Sequence, residues 1–293
     1  MTILAAALVT FLAAGTLLAA RGAPAAAATS KHSGTVVVLT AGSLETIMKT
    51  AVEPGFHKAT GYTVTDISGG STGLAQEVKG GVHKADVFWS AAPTSDNQLM
   101  GSANGNWVRW YLTFATTSLV LGYEPADRYA STIEHRPWWK VITKRGFLVG
   151  RTNPVTDPKG RLTVDALREA ARQHDDPAVG AIVARKTTVF TETSLVGRLQ
   201  AGQLDAGFFY AVEASAAHFP FVALSGVSEK ADFTLTILSK APHPEAAVAF
   251  VAYLLSPPAR RLLAEHGLTE LASPKLTGDE SAVPAALRKV IER

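Results

Sequence analysis

An apolar run that ends at a glycine–serine pair is the feature that most constrains this fold. Val36 to Leu39 are four consecutive apolar residues, three of them β-branched, as in a buried strand. After Gly42-Ser43, apolar residues recur at helical spacing, at Leu44, Ile47, Met48 and Val52. This pattern predicts a strand, a tight turn and a helix capped by Ser43, whose free N–H groups could bind an anion. A plain structural strand–turn–helix unit is the alternative.

Two further predicted strands end in small or hydroxyl-bearing residues. The alternating stretch from Gly61 to Ile67 runs into a glycine-rich turn, with Ser71 at its tip before a helix. The third strand starts at Ala85 and ends at Ser90-Ala91. Parallel strands bring their carboxyl ends to one edge of a sheet, where open α/β sheets bind ligands. An ordinary glycine turn is the alternative for the second turn, which does not match a P-loop.

The strand–helix alternation is interrupted and later resumes. Residues Tyr111 to Tyr123 are too many for one strand in a compact layer, so we expect a segment that crosses into a second domain. Phe233 to Leu238 should return to the first domain. The prediction is an α/β fold with lobe I at residues 34–117 plus 226–293 and lobe II at residues 118–225. The ligand cleft would lie between the lobes and close by hinge motion.

Composition excludes several classes of protein. The 293 residues contain no cysteine, which excludes disulfides, thiolate metal sites and cysteine nucleophiles. The net charge is only +3 and the basic residues are scattered, so we expect no nucleic-acid partner. An enzyme with Ser43 or Ser71 as nucleophile is the less favoured alternative, because no matching His–Asp order is evident.

The first 28 residues resemble a secretory signal peptide. Residues Ile3 to Ala20 are uncharged and almost wholly apolar, and small residues follow up to Ala28. We therefore expect export to the periplasm or the extracellular space, with a mature N-terminus near Thr29 that N-terminal sequencing would show. Met1-Thr2 carries no basic residue, so the alternatives are a misplaced start or a retained membrane anchor.

The order of several short motifs resembles one family of transport proteins. These motifs are Ala41-Gly-Ser-Leu, Gly70-Ser-Thr, Ala85-Asp-Val-Phe, Ser90-Ala, Asn153-Pro-Val-Thr-Asp-Pro, Leu204-Asp-Ala-Gly-Phe-Phe-Tyr and the Pro257–Gly267 tail. Over residues 35–270 the chain is similar to the molybdate/tungstate-binding proteins of ABC transporters, most closely to the tungstate branch. The resemblance implies a periplasmic-binding-protein-like fold of type II, a monomer without a cofactor, and a membrane permease as partner.

The resemblance also implies a set of site residues. The family's ligand-binding serines fall on Ser43 and Ser71, and its tyrosine falls on Tyr210, while Ala91 would line the pocket. The acidic pair that completes the tungstate-branch site falls on Asp157 and Glu192; these would bind the metal.

Two positions depart from the family pattern. Lys159-Gly160 stands where the family usually has Cys-Gly, and Ala211-Val-Glu replaces a stretch that contains a basic residue.

The chemistry of a tetrahedral dianion leaves two roles open for the acids. Such an anion needs hydrogen-bond donors, which the hydroxyls supply, so no Lys or Arg need enter the site. A carboxylate about 4 Å from a dianion is repelled by roughly 8 kcal/mol at an effective dielectric constant of about 20. Asp157 and Glu192 are therefore either helix caps away from the ligand or ligands of the metal itself. Molybdenum and tungsten can expand to six oxygen neighbours, whereas sulfur cannot; sulfate remains the alternative ligand.

Overall fold

The structure, a computed structural model, describes residues 33–291, so the predicted signal peptide at residues 1–28 lies outside it. The strands are β1 Thr35–Ala41, β2 Thr63–Gly69, β3 Val87–Ser90, β4 Trp110–Gly122, β5 Val149–Thr152, β6 Val189–Phe190, β7 Ala206–Tyr210, β8 Phe221–Ala223, β9 Lys230–Ile237 and β10 Thr269–Gly278. None of the helices in this part of the chain is both long and apolar enough to cross a membrane.

Helices cover the strands and connect them. They are α1 Glu45–Ile47, α2 Glu53–Thr60, α3 Ser71–Lys79, α4 Pro93–Asn97, α5 Ala130–His135, α6 Trp138–Ile142, α7 Pro158–Gln173, α8 Pro177–Ala181, α9 Leu195–Gln200, α10 Ala211–Ala216, α11 Pro244–Leu254, α12 Pro257–Glu265 and α13 Ala285–Ile291. A π-helical turn, Met48–Val52, joins α1 to α2, and single 3₁₀ turns include Gly42–Leu44 and Glu192–Ser194.

The first sheet brings the three predicted turns together. Strand β1 lies between β2 and β3 and pairs with both in parallel. The turns after these strands therefore meet at one edge, as predicted. Strand β9 then pairs antiparallel with β3 and β4, and β10 pairs antiparallel with β4.

Strand β4 passes from the first sheet into a second one. Its residues up to Ser118 pair with β9, whereas Leu119 to Gly122 pair with β7 and β8. The expected crossing segment is thus one continuous strand of 13 residues. In the second sheet, β5 pairs in parallel with β7 and with β6. Because β4 belongs to both sheets, all ten strands in residues 33–291 form one connected network. The lobe boundaries therefore stay a prediction.

The turn before α3 packs against the loop before α7. The Gly73 N–H donates to the Thr156 carbonyl at 2.9 Å, and the Arg161 guanidinium donates to Thr94 Oγ1 at 3.1 Å. A Cβ atom on Gly70 would overlap the Thr156 carbonyl oxygen. The absence of a side chain at Gly70 is thus what lets the two predicted lobes approach at this point.

We expect Gly70→Ala to weaken binding of the expected oxyanion by at least about tenfold, or ~1.4 kcal/mol. The added methyl group would force the α3 turn away from Thr156, while the Gly70 backbone (φ −64°, ψ 124°) accepts alanine without strain.

The matched control is Gly69→Ala, whose Cβ would meet Leu74 at an ordinary 3.4 Å. Calorimetric titration of both variants is the measurement. Equal affinities for the two would show that this contact does not matter for binding.

Candidate oxyanion-binding site

Ser43 lies in the 3₁₀ turn between β1 and α1. The prediction that its side chain caps the helix is wrong, because the cap position is Ala41 and no side-chain cap bond forms. Ser43 Oγ is buried and has no hydrogen-bond partner among residues 33–291. Its hydroxyl is therefore available to donate to a ligand.

Ser71 connects the second and third turns. It is the first residue of α3, and its Oγ accepts the N–H of Ala91 at 3.0 Å. Both residues are buried. The serine hydroxyl keeps its proton for one more acceptor.

The sequence around Ser71 also matches the Gly-x-Ser-x-Gly pattern of serine nucleophiles, from Gly69 to Gly73. In the described part of the chain, however, no histidine hydrogen-bonds to Ser71. The nucleophile–histidine pair that this pattern would need is therefore not seen at Ser71 in the described residues.

Asp157 is the N-cap of α7, which is one of the two roles considered for it. Its Oδ1 accepts the Lys159 N–H at 3.1 Å, and Pro158 occupies the first helical position. Its Oδ2 is buried and has no partner in the described structure. One oxygen is thus structural and the other is available, so the two roles considered for Asp157 are compatible.

Glu192 lies in the turn after β6 and is not a cap, since Thr191 holds that position. Its Oε1 accepts from Lys159 Nζ at 2.8 Å, and its Oε2 is buried without a hydrogen-bond partner in the described residues. A Cβ on Gly42 would overlap Glu192 Oε2. This carboxylate oxygen therefore lies directly against the turn that carries Ser43.

Tyr210 ends β7 and is fully buried. Burial raises the pKa of its phenol well above the usual value, and the carboxylates of Asp157, Glu192 and Glu213 raise it further. The phenol is therefore protonated at neutral pH and acts as a donor. Its OH has no hydrogen-bond partner in residues 33–291. The Tyr210 ring centre lies 5.8 Å from Lys159 Nζ, which places the ring beside the same carboxylates.

Sequence analysis missed two members of the site, Lys159 and Glu213. Lys159 Nζ donates to Glu192 Oε1 at 2.8 Å and to Glu213 Oε2 at 2.6 Å, with no solvent exposure. The expectation that no Lys or Arg need enter is therefore wrong for this chain. A signal was present: Lys159 lies in the first turn of α7, where the helix dipole disfavours a cation, so it requires carboxylate partners.

Burial and charge pairing act against each other in this cluster. Burial raises the pKa of Asp157, Glu192 and Glu213, and the Lys159 ammonium opposes that rise. Burial alone would lower the pKa of Lys159, but the surrounding carboxylates raise it above its usual value. Lys159 is therefore charged, and one ammonium faces three acidic groups.

The site has two kinds of unpartnered buried atom. Ser43 Oγ and Tyr210 OH are donors, whereas Asp157 Oδ2, Glu192 Oε2 and Glu213 Oε1 are carboxyl oxygens. A cleft of about 470 Å³ opens beside Glu192 and is also lined by Gly70, Thr156 and Thr193. Donors suit the oxygens of an anion, and carboxylate oxygens suit an electron-poor centre. Four predicted residues therefore carry unpartnered atoms of both kinds: Ser43, Asp157, Glu192 and Tyr210. The other two, Ser71 and Ala91, are hydrogen-bonded to each other.

We expect Tyr210→Phe to weaken oxyanion binding by about tenfold or more, since a hydrogen bond to a charged group contributes roughly 1.5–3 kcal/mol. The variant should not lower the temperature of thermal unfolding, because the hydroxyl that it removes is buried and unpartnered in the described structure.

The control is Tyr123→Phe, which removes a hydroxyl that donates to Glu134 Oε1 at 2.8 Å. It should change stability and leave affinity unchanged. Calorimetric titration and thermal unfolding of both variants are the measurements. Unchanged affinity in Tyr210→Phe would remove the phenol from the site.

The amino-acid sequence is similar to those of several known solute-binding proteins. A protein of Haloferax volcanii, provisionally named an ABC transporter molybdenum-binding protein, is 30% identical over 249 residues, which cover 84% of this chain and 75% of that protein. The molybdate/tungstate-binding protein WtpA of Pyrococcus abyssi is 23% identical over 322 residues, covering 90% of this chain and 92% of the relative.

Solved structures share the fold. The periplasmic molybdate-binding protein of Azotobacter vinelandii superimposes with a TM-score of 0.61 at 20% identity, over 80% of this chain and 98% of the other. The sulfate-binding protein SubI of Mycobacterium tuberculosis superimposes with a TM-score of 0.60 at 16% identity, over 89% of this chain and 92% of the other. The expected two-lobe α/β fold of periplasmic binding proteins is confirmed. Residues 36–269 match the family described as bacterial extracellular solute-binding proteins. The chain belongs to that family, and the resemblance predicted from its motifs is confirmed.

Proposed function

We propose that this chain captures molybdate or tungstate outside the cytoplasm and delivers it to an ABC permease. The observation that carries the proposal is a cluster of buried polar atoms that have no hydrogen-bond partner in the described residues. Ser43 Oγ and Tyr210 OH are donors for the oxygens of the anion, while Asp157 Oδ2 and Glu192 Oε2 are carboxyl oxygens without partners in the described residues.

The acidic pair argues for an oxyanion with an expandable metal centre. A carboxylate that lies about 4 Å from a dianion and makes no bond to it is repelled by roughly 8 kcal/mol at an effective dielectric constant of about 20. The repulsion is offset when the carboxylate oxygen bonds to the central atom. Molybdenum and tungsten accept two further oxygens, and sulfur does not. The names of the Haloferax and Pyrococcus relatives support the same ligands.

Family membership supports the proposed location and partner. Membership of the extracellular solute-binding family and the signal-peptide-like residues 1–28 support export. We propose a monomer whose predicted lobes, residues 34–117 plus 226–293 and 118–225, close on the ligand before it passes to the permease. No enzymatic reaction, cofactor or nucleic-acid partner is part of this proposal.

The test is calorimetric titration with molybdate, tungstate, sulfate and phosphate. The wild-type protein should bind the first two tightly and sulfate weakly. The double variant Asp157→Asn/Glu192→Gln keeps the side-chain shapes and the N-cap, yet removes both charges. It should lose about 100-fold or more of its tungstate affinity, or ~2.7 kcal/mol, and no sulfate affinity.

The matched control is Asp165→Ala/Glu169→Ala, which removes two acidic groups from a solvent-facing part of α7. It should bind as the wild type does. If the Asp157/Glu192 double variant binds tungstate as tightly as the control, the acids are structural and the site is a simple tetrahedral-anion cradle. If the wild type binds sulfate and neither metal oxyanion, the proposed function is wrong.

A further inference from the structure

Lys159 joins three separate elements at the centre of the site. It comes from the first turn of α7, Glu192 from the turn after β6, and Glu213 from the first turn of α10. We propose that Lys159 is a positioning residue that holds one oxygen of Glu192 and so presents the other oxygen to the bound metal. This inference rests on the proposed function and extends it to a residue that is not itself a ligand.

The anchor of this arrangement is Glu213. Its Oε2 accepts from Lys159 Nζ at 2.6 Å and from the Tyr210 N–H at 3.4 Å. The ammonium is thus bonded to a group at the end of β7 as well as to Glu192. It also lies 5.5 Å from the centre of the Phe209 ring and 5.8 Å from that of Tyr210. Lys159 is therefore a fixed point from which Glu192 can be oriented.

The bond to Lys159 decides which Glu192 oxygen can reach a ligand. Oε1 is engaged at 2.8 Å, whereas Oε2 faces the Gly42 turn and has no hydrogen-bond partner in the described part of the chain. A carboxylate held in this way has one oxygen free of hydrogen bonds to offer to a metal. A glutamate side chain is otherwise rotationally free, and that freedom would be lost on binding. The bond to Lys159 restricts the rotation of Glu192 before the ligand binds.

Charge supports the same role. Asp157, Glu192 and Glu213 are all buried, and Lys159 is the cation that contacts two of them. An ammonium between Glu192 and Glu213 lets these acids approach each other. Without it, the two glutamates would repel, and Glu192 would turn away from both Glu213 and an incoming dianion.

The experiment compares four variants by tungstate titration, thermal unfolding and X-ray absorption of the tungstate complex. Lys159→Met keeps most of the side-chain length but removes the charge and its donors. We expect a 10- to 100-fold loss of tungstate affinity, the range typical for residues that support metal ligands. The number of oxygen neighbours of tungsten should fall from six to five.

Two further variants separate positioning from stability. Glu213→Gln leaves the Lys159–Glu192 bond intact but removes one charge from the site, so it should lose less tungstate affinity than Lys159→Met and should keep six oxygen neighbours. Lys159→Met/Glu213→Gln removes the cation together with one acid, so it should regain stability relative to Lys159→Met. It should not regain affinity or the sixth neighbour, because nothing holds Glu192. The exposed Lys140→Met on α6 is the control for loss of a lysine and should match the wild type.

The outcomes distinguish this inference from the function on which it rests. If the wild type binds no tungstate, or binds it with four oxygen neighbours, the proposed site chemistry fails. If the wild type has six neighbours and the folded Lys159→Met/Glu213→Gln variant also has six at wild-type affinity, only the role of Lys159 is overturned. Loss of a neighbour in Glu213→Gln alone would also overturn it, because Glu213 rather than Glu192 would then be the ligand.

Discussion

Buried carboxylates at an anion-binding site are unfavourable unless each of them contacts a positive group. The other features of the candidate site depend on how this chain meets that constraint. Lys159 satisfies part of it by bonding to Glu192 and Glu213. Oxygens of Asp157, Glu192 and Glu213 are left without hydrogen-bond partners in the described residues, and under the proposed function the metal of the bound anion meets those of Asp157 and Glu192. The same arrangement that would repel sulfate is thus suited to an oxyanion whose central metal accepts more oxygens.

The fold supplies the positions that this chemistry needs. Parallel pairing of β1 with β2 and β3 brings the Ser43, Ser71 and Ala91 turns to one edge. Strand β4 extends into the second sheet, where β7 ends at Tyr210. Glycine allows the close approaches between the two sides. Gly42 leaves room for the Glu192 carboxylate, and Gly70 leaves room for the Thr156 carbonyl.

Local features of this site could be predicted from sequence, and contacts between distant residues could not. The Asp157 cap was predictable because Asp-Pro is a local helix-start signal. The same reasoning failed for Ser43, whose turn is 3₁₀ and leaves the hydroxyl uncapped. Strand β10 was missed because Pro274 and a register shift between Glu270 and Lys275 hide its pattern.

The Lys159 cluster was missed for a different reason. Lys159 is 33 residues from Glu192 and 54 from Glu213, and no periodic pattern relates them. The motif order predicted a set of ligand-binding residues, but the departure at Lys159 could be interpreted only when its partners were seen. The boundaries of the two lobes stay a prediction, because β4 contributes to both sheets.

The most direct test of the central claim is a crystal structure of the tungstate complex with data collected at the tungsten absorption edge. If the acids bind the metal, the anomalous peak will lie within about 2.5 Å of both Asp157 Oδ2 and Glu192 Oε2, the range of carboxylate–metal bonds. The hydroxyls of Ser43, Ser71 and Tyr210 will contact the oxo groups. A peak beyond hydrogen-bonding distance from both carboxylates, with four equal tungsten–oxygen bonds, would contradict the account.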